Sequence, residues 1–274
     1  MILIRYKIWT LCIIFTVCIN ISYSKVSRAA VEPRIVGGYQ CSQKPNVNIK
    51  FMVALTSYRG ELFAINAVKR DKCVMKNGFL SSSCPVHYIR QRGIYSHPRY
   101  TRRPVNNDIS LLRLETPMYA NKNIQYVKLP STSIDGDVSN VCDDSTILGW
   151  GWTKRRGSKI PIRLMCVDKR IMSTADCIKD FPKTINTFIC TEPSFKKDAC
   201  HGDSGGPLVC GDIQYGITSF VPGRAKNRAV FFTRVDKFLD FIHYTMKNNG
   251  LHAFRLNFVI YVISLLLLYY NLPY

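Results

Sequence analysis

A serine set between glycines does most to limit what this chain can be. Residues 200–207 read Cys200-His201-Gly202-Asp203-Ser204-Gly205-Gly206-Pro207. Glycine adopts backbone angles that side chains resist, and it lets another molecule approach closely. The string therefore predicts a strained, exposed turn carrying the Ser204 hydroxyl. The N–H groups of Gly202 and Ser204 can then point at one oxygen atom, which is the geometry of an oxyanion hole. Around this turn the chain reads as short strands: Phe51 to Leu55, Ser145 to Trp150, Leu208–Val209, Tyr215 to Phe220 and Ala229 to Val235. Many short strands with Gly and Pro turns point to an all-β sandwich or barrel. After Val235 the period changes. Phe238, Phe241, Ile242 and Thr245 fall at helical spacing, so a final amphipathic helix is expected to pack on the body.

The ends of the chain carry different signals. Arg5 and Lys7 precede an apolar run from Ile8 to Ile19, and small residues follow at Ser22 and Ser24. This pattern predicts a secretory signal peptide over residues 1–24, because the run is too short for a membrane span. Eleven cysteines agree with an oxidising compartment. Cys12 and Cys18 lie in the leader, which leaves an odd number for the domain. At the other end, Leu256 to Tyr270 is apolar except for Asn257 and Ser264. Asn248, Asn249 and Gly250 followed by a polar spacer resemble a glycolipid-attachment signal. A retained membrane anchor competes with that reading of residues 250–274. Either way the expected location is secreted or at the extracellular face of the plasma membrane.

Lys and Arg outnumber Asp and Glu by 38 to 18, a formal charge of +20. Such a surplus favours anionic partners such as heparin-like sugars or acidic proteins. Lys154-Arg155-Arg156 and Arg224-Ala225-Lys226-Asn227-Arg228 are its densest clusters. Nucleic acid is not among the expected partners. No His, Cys and Asp spacing matches a metal-ligand pattern, so neither metal nor cofactor is expected.

Gly-Asp-Ser-Gly-Gly-Pro at 202–207 resembles the nucleophile loop of the trypsin-like serine proteases, and other segments extend the resemblance over roughly residues 35–249. It implies two antiparallel six-stranded β-barrels and a C-terminal α-helix, with the site in the cleft between barrels. Pro33-Arg34-Ile35-Val36-Gly37-Gly38 resembles the family's activation point. Residues 25–34 would form a short propeptide, and cutting after Arg34 would free the Ile35 amine to pair with Asp203 and order the oxyanion loop. Asn107-Asp108-Ile109-Ser110-Leu111-Leu112 resembles the segment with the triad aspartate, which orients an imidazole. His97-Pro98-Arg99-Tyr100 matches a structural turn before it. Asp198 matches the acidic pocket base that holds Lys or Arg, and Ser219 matches a pocket-wall serine. The resemblance implies the bridges Cys41–Cys166, Cys142–Cys210 and Cys177–Cys190. Cys73 and Cys84 have no family counterparts and are left to close a local loop together. Cys200 lacks its usual partner beyond Phe220.

The departures from the family matter as much. The family places Thr-Ala-Ala-His-Cys between the activation point and the aspartate. Alignment of Val74-Met75-Lys76-Asn77-Gly78-Phe79-Leu80 with that segment puts Phe79 where the catalytic histidine belongs and Leu80 where its cysteine belongs. The partner cysteine expected near Phe63 or Ala64 is absent too. The stretch from Ile35 to Asp108 is also shorter than the family norm, so either the base was lost or the transcript was mis-joined there. The remaining candidate bases are His87, which has the wrong neighbours, His201, only three residues from Ser204 on the same loop, and His243, on the terminal helix. Without a base, the Ser204 hydroxyl is a poor nucleophile. Val221 and Val230 replace glycines that keep the family's pocket open. The expectation is a non-catalytic homologue that serves as an extracellular binding or regulatory module for a protein partner or a protease. An active endopeptidase cleaving after Lys or Arg is the alternative.

Overall fold

The computed structural model describes residues 3–6, 9–13, 38–43, 48–58, 61–66, 75–76, 79–80, 86–152, 161, 163–179, 186–194, 199–200, 202–221 and 229–248. In chain order the strands are β1 (Leu3–Tyr6), β2 (Trp9–Ile13), β3 (Tyr39–Gln40), β4 (Val53–Tyr58), β5 (Glu61–Asn66), β6 (Met75–Lys76), β7 (Phe79–Leu80), β8 (Val86–Ser96), β9 (Thr101–Arg102), β10 (Val105–Asn106) and β11 (Ser110–Leu114). The second half adds β12 (Asp144–Gly149), β13 (Met165–Arg170), β14 (Phe188–Thr191), β15 (Pro207–Cys210), β16 (Ile213–Phe220) and β17 (Val230–Arg234). Helix α1 covers Thr174–Lys179, and α2 covers 239–248 after a single 3-10 turn, Asp236–Phe238.

Two antiparallel sheets carry the molecule, and a short helix ends the described chain, as the all-β expectation required. One sheet has six strands in the order β1-β2-β11-β8-β5-β4, and the other has seven, β14-β17-β16-β15-β12-β13-β3. In the first, β1 and β2 come from the stretch read as a leader, and β2 pairs with β11 through Leu111↔Ile13. In the second, the seventh strand is the difference from the expected six. It is β3, which pairs Gln40 with Met165 and Tyr39 with Cys166. Its physical cause is the Cys41–Cys166 bridge, which fixes the chain beside β13. The Tyr39 hydroxyl also donates to the Asp168 carboxylate at 2.9 Å. That acceptor, together with burial, pushes the phenol well above its usual range, burial being the larger cause.

The core explains why the sheets stay together. One buried cluster takes Phe51 and Leu111 from the first sheet's side, Leu148 and Ile217 from the second, and Phe238 and Ile242 from the C-terminal segment. Burying a side chain of this size contributes about 1.5–3 kcal/mol. Phe238, Ile242 and Met246 recur at helical spacing on the buried face, with Tyr244 outward. A second cluster lies within the second sheet around Ile147, Val167, Leu208 and Phe232. At the foot of α2, Arg234 and Asp236 form a buried two-pronged pair at 3.0 and 2.8 Å. Arg234 also donates to the carbonyls of Gly136 and Ile134, so this buried charge is hydrogen-bonded on several sides.

Candidate active site

Asp108 sits where the two sheets meet, in the loop that leads into β11. The preceding residue, Asn107, has φ +48° and anchors the turn by donating from its side-chain nitrogen to the Arg99 carbonyl at 2.7 Å. Asparagine is one of the few residues that tolerate that backbone region. Asp108 itself is 7% exposed. Two hydroxyls of the second sheet hold it. Ser219 Oγ donates to its Oδ2 at 2.7 Å, and Thr233 Oγ1 donates to its main-chain carbonyl at 2.8 Å. Burial pushes the Asp108 carboxyl up to about 7, and the Ser219 hydrogen bond only partly offsets this.

The nucleophile loop is built on another buried carboxylate. Asp203 is 1% exposed. Its Oδ1 accepts the Gly151 N–H at 2.7 Å and its Oδ2 accepts the Cys200 N–H at 2.8 Å. Gly149 and Gly151 are glycines for a reason seen here: a Cβ at either would overlap the Asp203 carboxylate. Gly202 turns the chain at φ +97°, a conformation that side chains rarely adopt. The Asp203, Gly205 and Gly206 N–H groups are taken up by the carbonyls of Cys200, Thr218 and Asp203. The N–H groups of Gly202 and Ser204, the expected oxyanion donors, have no acceptor among the described residues, and Ser204 is exposed. Ile35 and Arg34, the expected activation pair for Asp203, lie outside the described residues.

Among the described residues, no imidazole bonds to Asp108 or to Ser204. His97 is buried, accepts the Arg99 N–H at Nδ1 and packs edge-on against Phe238 and Phe241 at 5.3 and 4.9 Å. Burial, and then the Arg99 charge, lower its pKa. It is the structural turn residue that the sequence suggested. His87 lies on β8, two residues beyond the partner of Leu114. At about 3.3 Å per residue it is roughly 20 Å along the sheet from Ser110, too far to serve Asp108. Its Nδ1 instead lies 3.4 Å from Thr116 Oγ1. His243 is exposed on α2. His201 lies outside the described residues. The backbone of Phe79 pairs with Lys76 in a hairpin separate from both large sheets.

The pocket residues have unlike surroundings. Val230 is 1% exposed and belongs to the second sheet's cluster, against which Ala199 packs. Val221 is 46% exposed. Ser219 serves Asp108 as a hydrogen-bond donor besides its expected place at the pocket wall. Asp198 lies outside the described residues. The bridges Cys41–Cys166, Cys142–Cys210 and Cys177–Cys190 are present as expected, and such bonds form in an oxidising compartment. Cys200 takes part in none of the three. Cys73 and Cys84, residues 14–37 and the tail from 249 onward lie outside the described residues. Among the described residues no helix is long and apolar enough to cross a membrane, and no group of three or more His, Cys, Asp or Glu could hold a metal ion.

Sequence reasoning missed the glycine cradle of Asp203 and the hydroxyl from Thr233. The repeated glycines in Gly149-Trp150-Gly151 were the available signal for the first. Nothing marked the second, because 125 residues separate its partners.

Comparison with known proteins gives this arrangement a context. The family model for trypsin matches residues 72–242. Trypsin-4 of Rattus norvegicus is 31% identical over 233 residues, which cover 80% of this chain and 92% of the relative. Anionic trypsin of Bos taurus is 30% identical over 241 residues, with the same shares. Trypsin-3 of Homo sapiens is 29% identical over 235 residues, covering 80% of this chain and 75% of its own.

Proposed function

We propose, for a chain that belongs to the trypsin family, a non-catalytic role as an extracellular binding or regulatory module. The observation that carries this reading is the set of partners around the two reacting groups. Asp108 is held by Ser219, Ser204 stands exposed, and no described imidazole joins them. An aspartate in a serine triad acts only through a histidine. In subtilisin, loss of that histidine removes a factor of ~10⁶ in turnover. Val230 supports a filled pocket floor, since its cluster also receives Ala199, the residue after Asp198. The proposed partner is an extracellular protein, and the signal peptide and C-terminal tail would deliver the chain outside the cell or hold it there.

A second reading keeps one observation of its own. The Asp108–Ser219 bond, the Gly202 turn and the open N–H pair are what an active endopeptidase of trypsin type needs. Under that reading the base comes from a segment outside the described residues. Turnover of a panel of Lys- and Arg-ester substrates decides between the two. The full chain, cut after Arg34, is compared with Ser204→Ala. The proposal expects equal, background rates; hydrolysis that disappears in Ser204→Ala would overturn it.

A further inference from the structure

One face beside Asp108 combines positive charge with aromatic surface. Arg99, Arg102 and Arg103 are all exposed within five residues. Among the described residues none of the three has a carboxylate within ion-pair distance. The stretch is nevertheless held in place. Asn107 grips the Arg99 carbonyl, Thr101 Oγ1 donates to the Pro104 carbonyl at 2.7 Å, and β9 pairs with β10 through Arg102↔Val105 and Thr101↔Asn106. The hairpin is docked on the second sheet, where Thr187 Oγ1 donates to Asn106 Oδ1 at 3.1 Å.

The apolar part adjoins it. Val105 and half-buried Phe220 both pack on the cluster that contains Phe188 and Phe231. Phe220 stacks on Phe231 at 4.8 Å and meets Phe188 edge-on at 5.5 Å, so its ring is rigidly placed. Tyr100, 41% exposed, links the arginines to the site: its phenol is raised by burial and by the Asp108 charge, against a lowering pull from Arg102. Fixed aromatic and arginine side chains are the types that carry energy at protein interfaces.

We infer that this face binds an acidic peptide segment of a partner protein that also presents an aromatic or aliphatic side chain. Three arginines on a pinned backbone, with no ion-pair partner among the described residues, select the carboxylates, and Phe220 with Val105 receives the apolar group. A sulfated glycan would match the arginines but leave the aromatic surface unused. The inference rests on reading the chain as a binding module and names the partner chemistry of that reading.

The test uses the full chain and a fluorescein-labelled heptapeptide, Glu-Asp-Glu-Phe-Glu-Asp-Glu, followed by fluorescence anisotropy near physiological salt. Saturable binding is expected. Charge reversal at Arg99, Arg102 and Arg103 together should weaken it by roughly tenfold. Replacing the peptide's Phe by Ser should weaken it several-fold, as should Tyr100→Ala, an exposed change that does not threaten folding. Absence of binding, or equal binding by the charge-reversed protein, would overturn the proposal. So would equal binding of the Ser peptide, joined by loss of heparin octasaccharide binding in the same variant, because the face would then be a polyanion site. Fluorophosphonate labelling of Ser204 separates the two readings. A labelled serine with peptide binding intact removes the non-catalytic reading alone; a silent serine without peptide binding removes this one alone.

Discussion

The two sheets differ in what they keep. On the second sheet's side the described part of the nucleophile loop has exposed Ser204, turned Gly202, and Asp203 seated between Gly151 and Cys200. The first sheet contributes Asp108 and, among the described residues, no base to go with it. Packing and chemistry therefore impose different demands. The buried Asp203 carboxylate needs its hydrogen bonds to persist, because an unmade one costs about 1–3 kcal/mol. A triad histidine carries no comparable packing duty, so under the proposed reading its replacement would remove the reaction while leaving the fold intact. Asp108 has a structural tie of its own: Ser219 and Thr233 hold it in place.

The largest effect is expected inside the second sheet, where a bridge ties the chain beside β3 to β13. The Cys41–Cys166 bridge spans 125 residues. Replacing both cysteines by Ala should cost up to about 5 kcal/mol, by the loop-entropy relation. Urea titration of the pair variant checks this, and an unchanged midpoint would mean that the bridge contributes nothing to stability. Next comes Arg234→Met, which leaves buried Asp236 with only the more distant Lys237 ammonium at 4.0 Å and should cost about 3 kcal/mol. Thermal melting should show the loss across the whole transition, since Phe238 and Ile242 join both sheets in one core.

The contribution of Asp108 runs with pH. The folded carboxyl titrates at about 7, above its ordinary 3.8. The folded state then holds a proton that the unfolded state has released between those values, so stability falls as pH rises through that window. Below it both states are protonated, and above it the penalty is complete, at most roughly 4 kcal/mol. Asp108→Asn keeps an acceptor for Ser219 and should abolish the slope between pH 4 and 7, read as melting temperature against pH. An equal slope in both proteins would place the titrating group elsewhere. Ser219→Ala is smaller, at about 1.5–3 kcal/mol for a hydrogen bond to a charged group, and it should push the Asp108 titration higher still. Tyr39→Phe, at an exposed contact with Asp168, should cost no more than about 1 kcal/mol.

Local patterns made much of this legible from the residues. The Gly-flanked serine announced its turn. The spacing of Phe238, Ile242 and Thr245 announced α2, and the strands around residues 145–150 and 215–220 were found within two residues. What escaped was non-local. The pairing of Tyr39–Gln40 with β13 depends on partners far along the chain, as the register Tyr39↔Cys166 and Gln40↔Met165 shows. Burial of Lys169, which donates to the Glu192 carbonyl, had no sequence sign, because a lysine on a strand reads as a solvated charge. Val221 and Val230 looked alike as replaced glycines, yet only the fold shows that one is exposed and the other buried in a core.

The most direct measurement is covalent labelling of the full chain, cut after Arg34, with a fluorophosphonate probe beside its Ser204→Ala control. Such probes report a serine that a neighbouring base has activated. The account predicts no labelling above the control in a folded, cleaved sample. Labelling that vanishes in Ser204→Ala would contradict it, and would mean that a base outside the described residues completes the site.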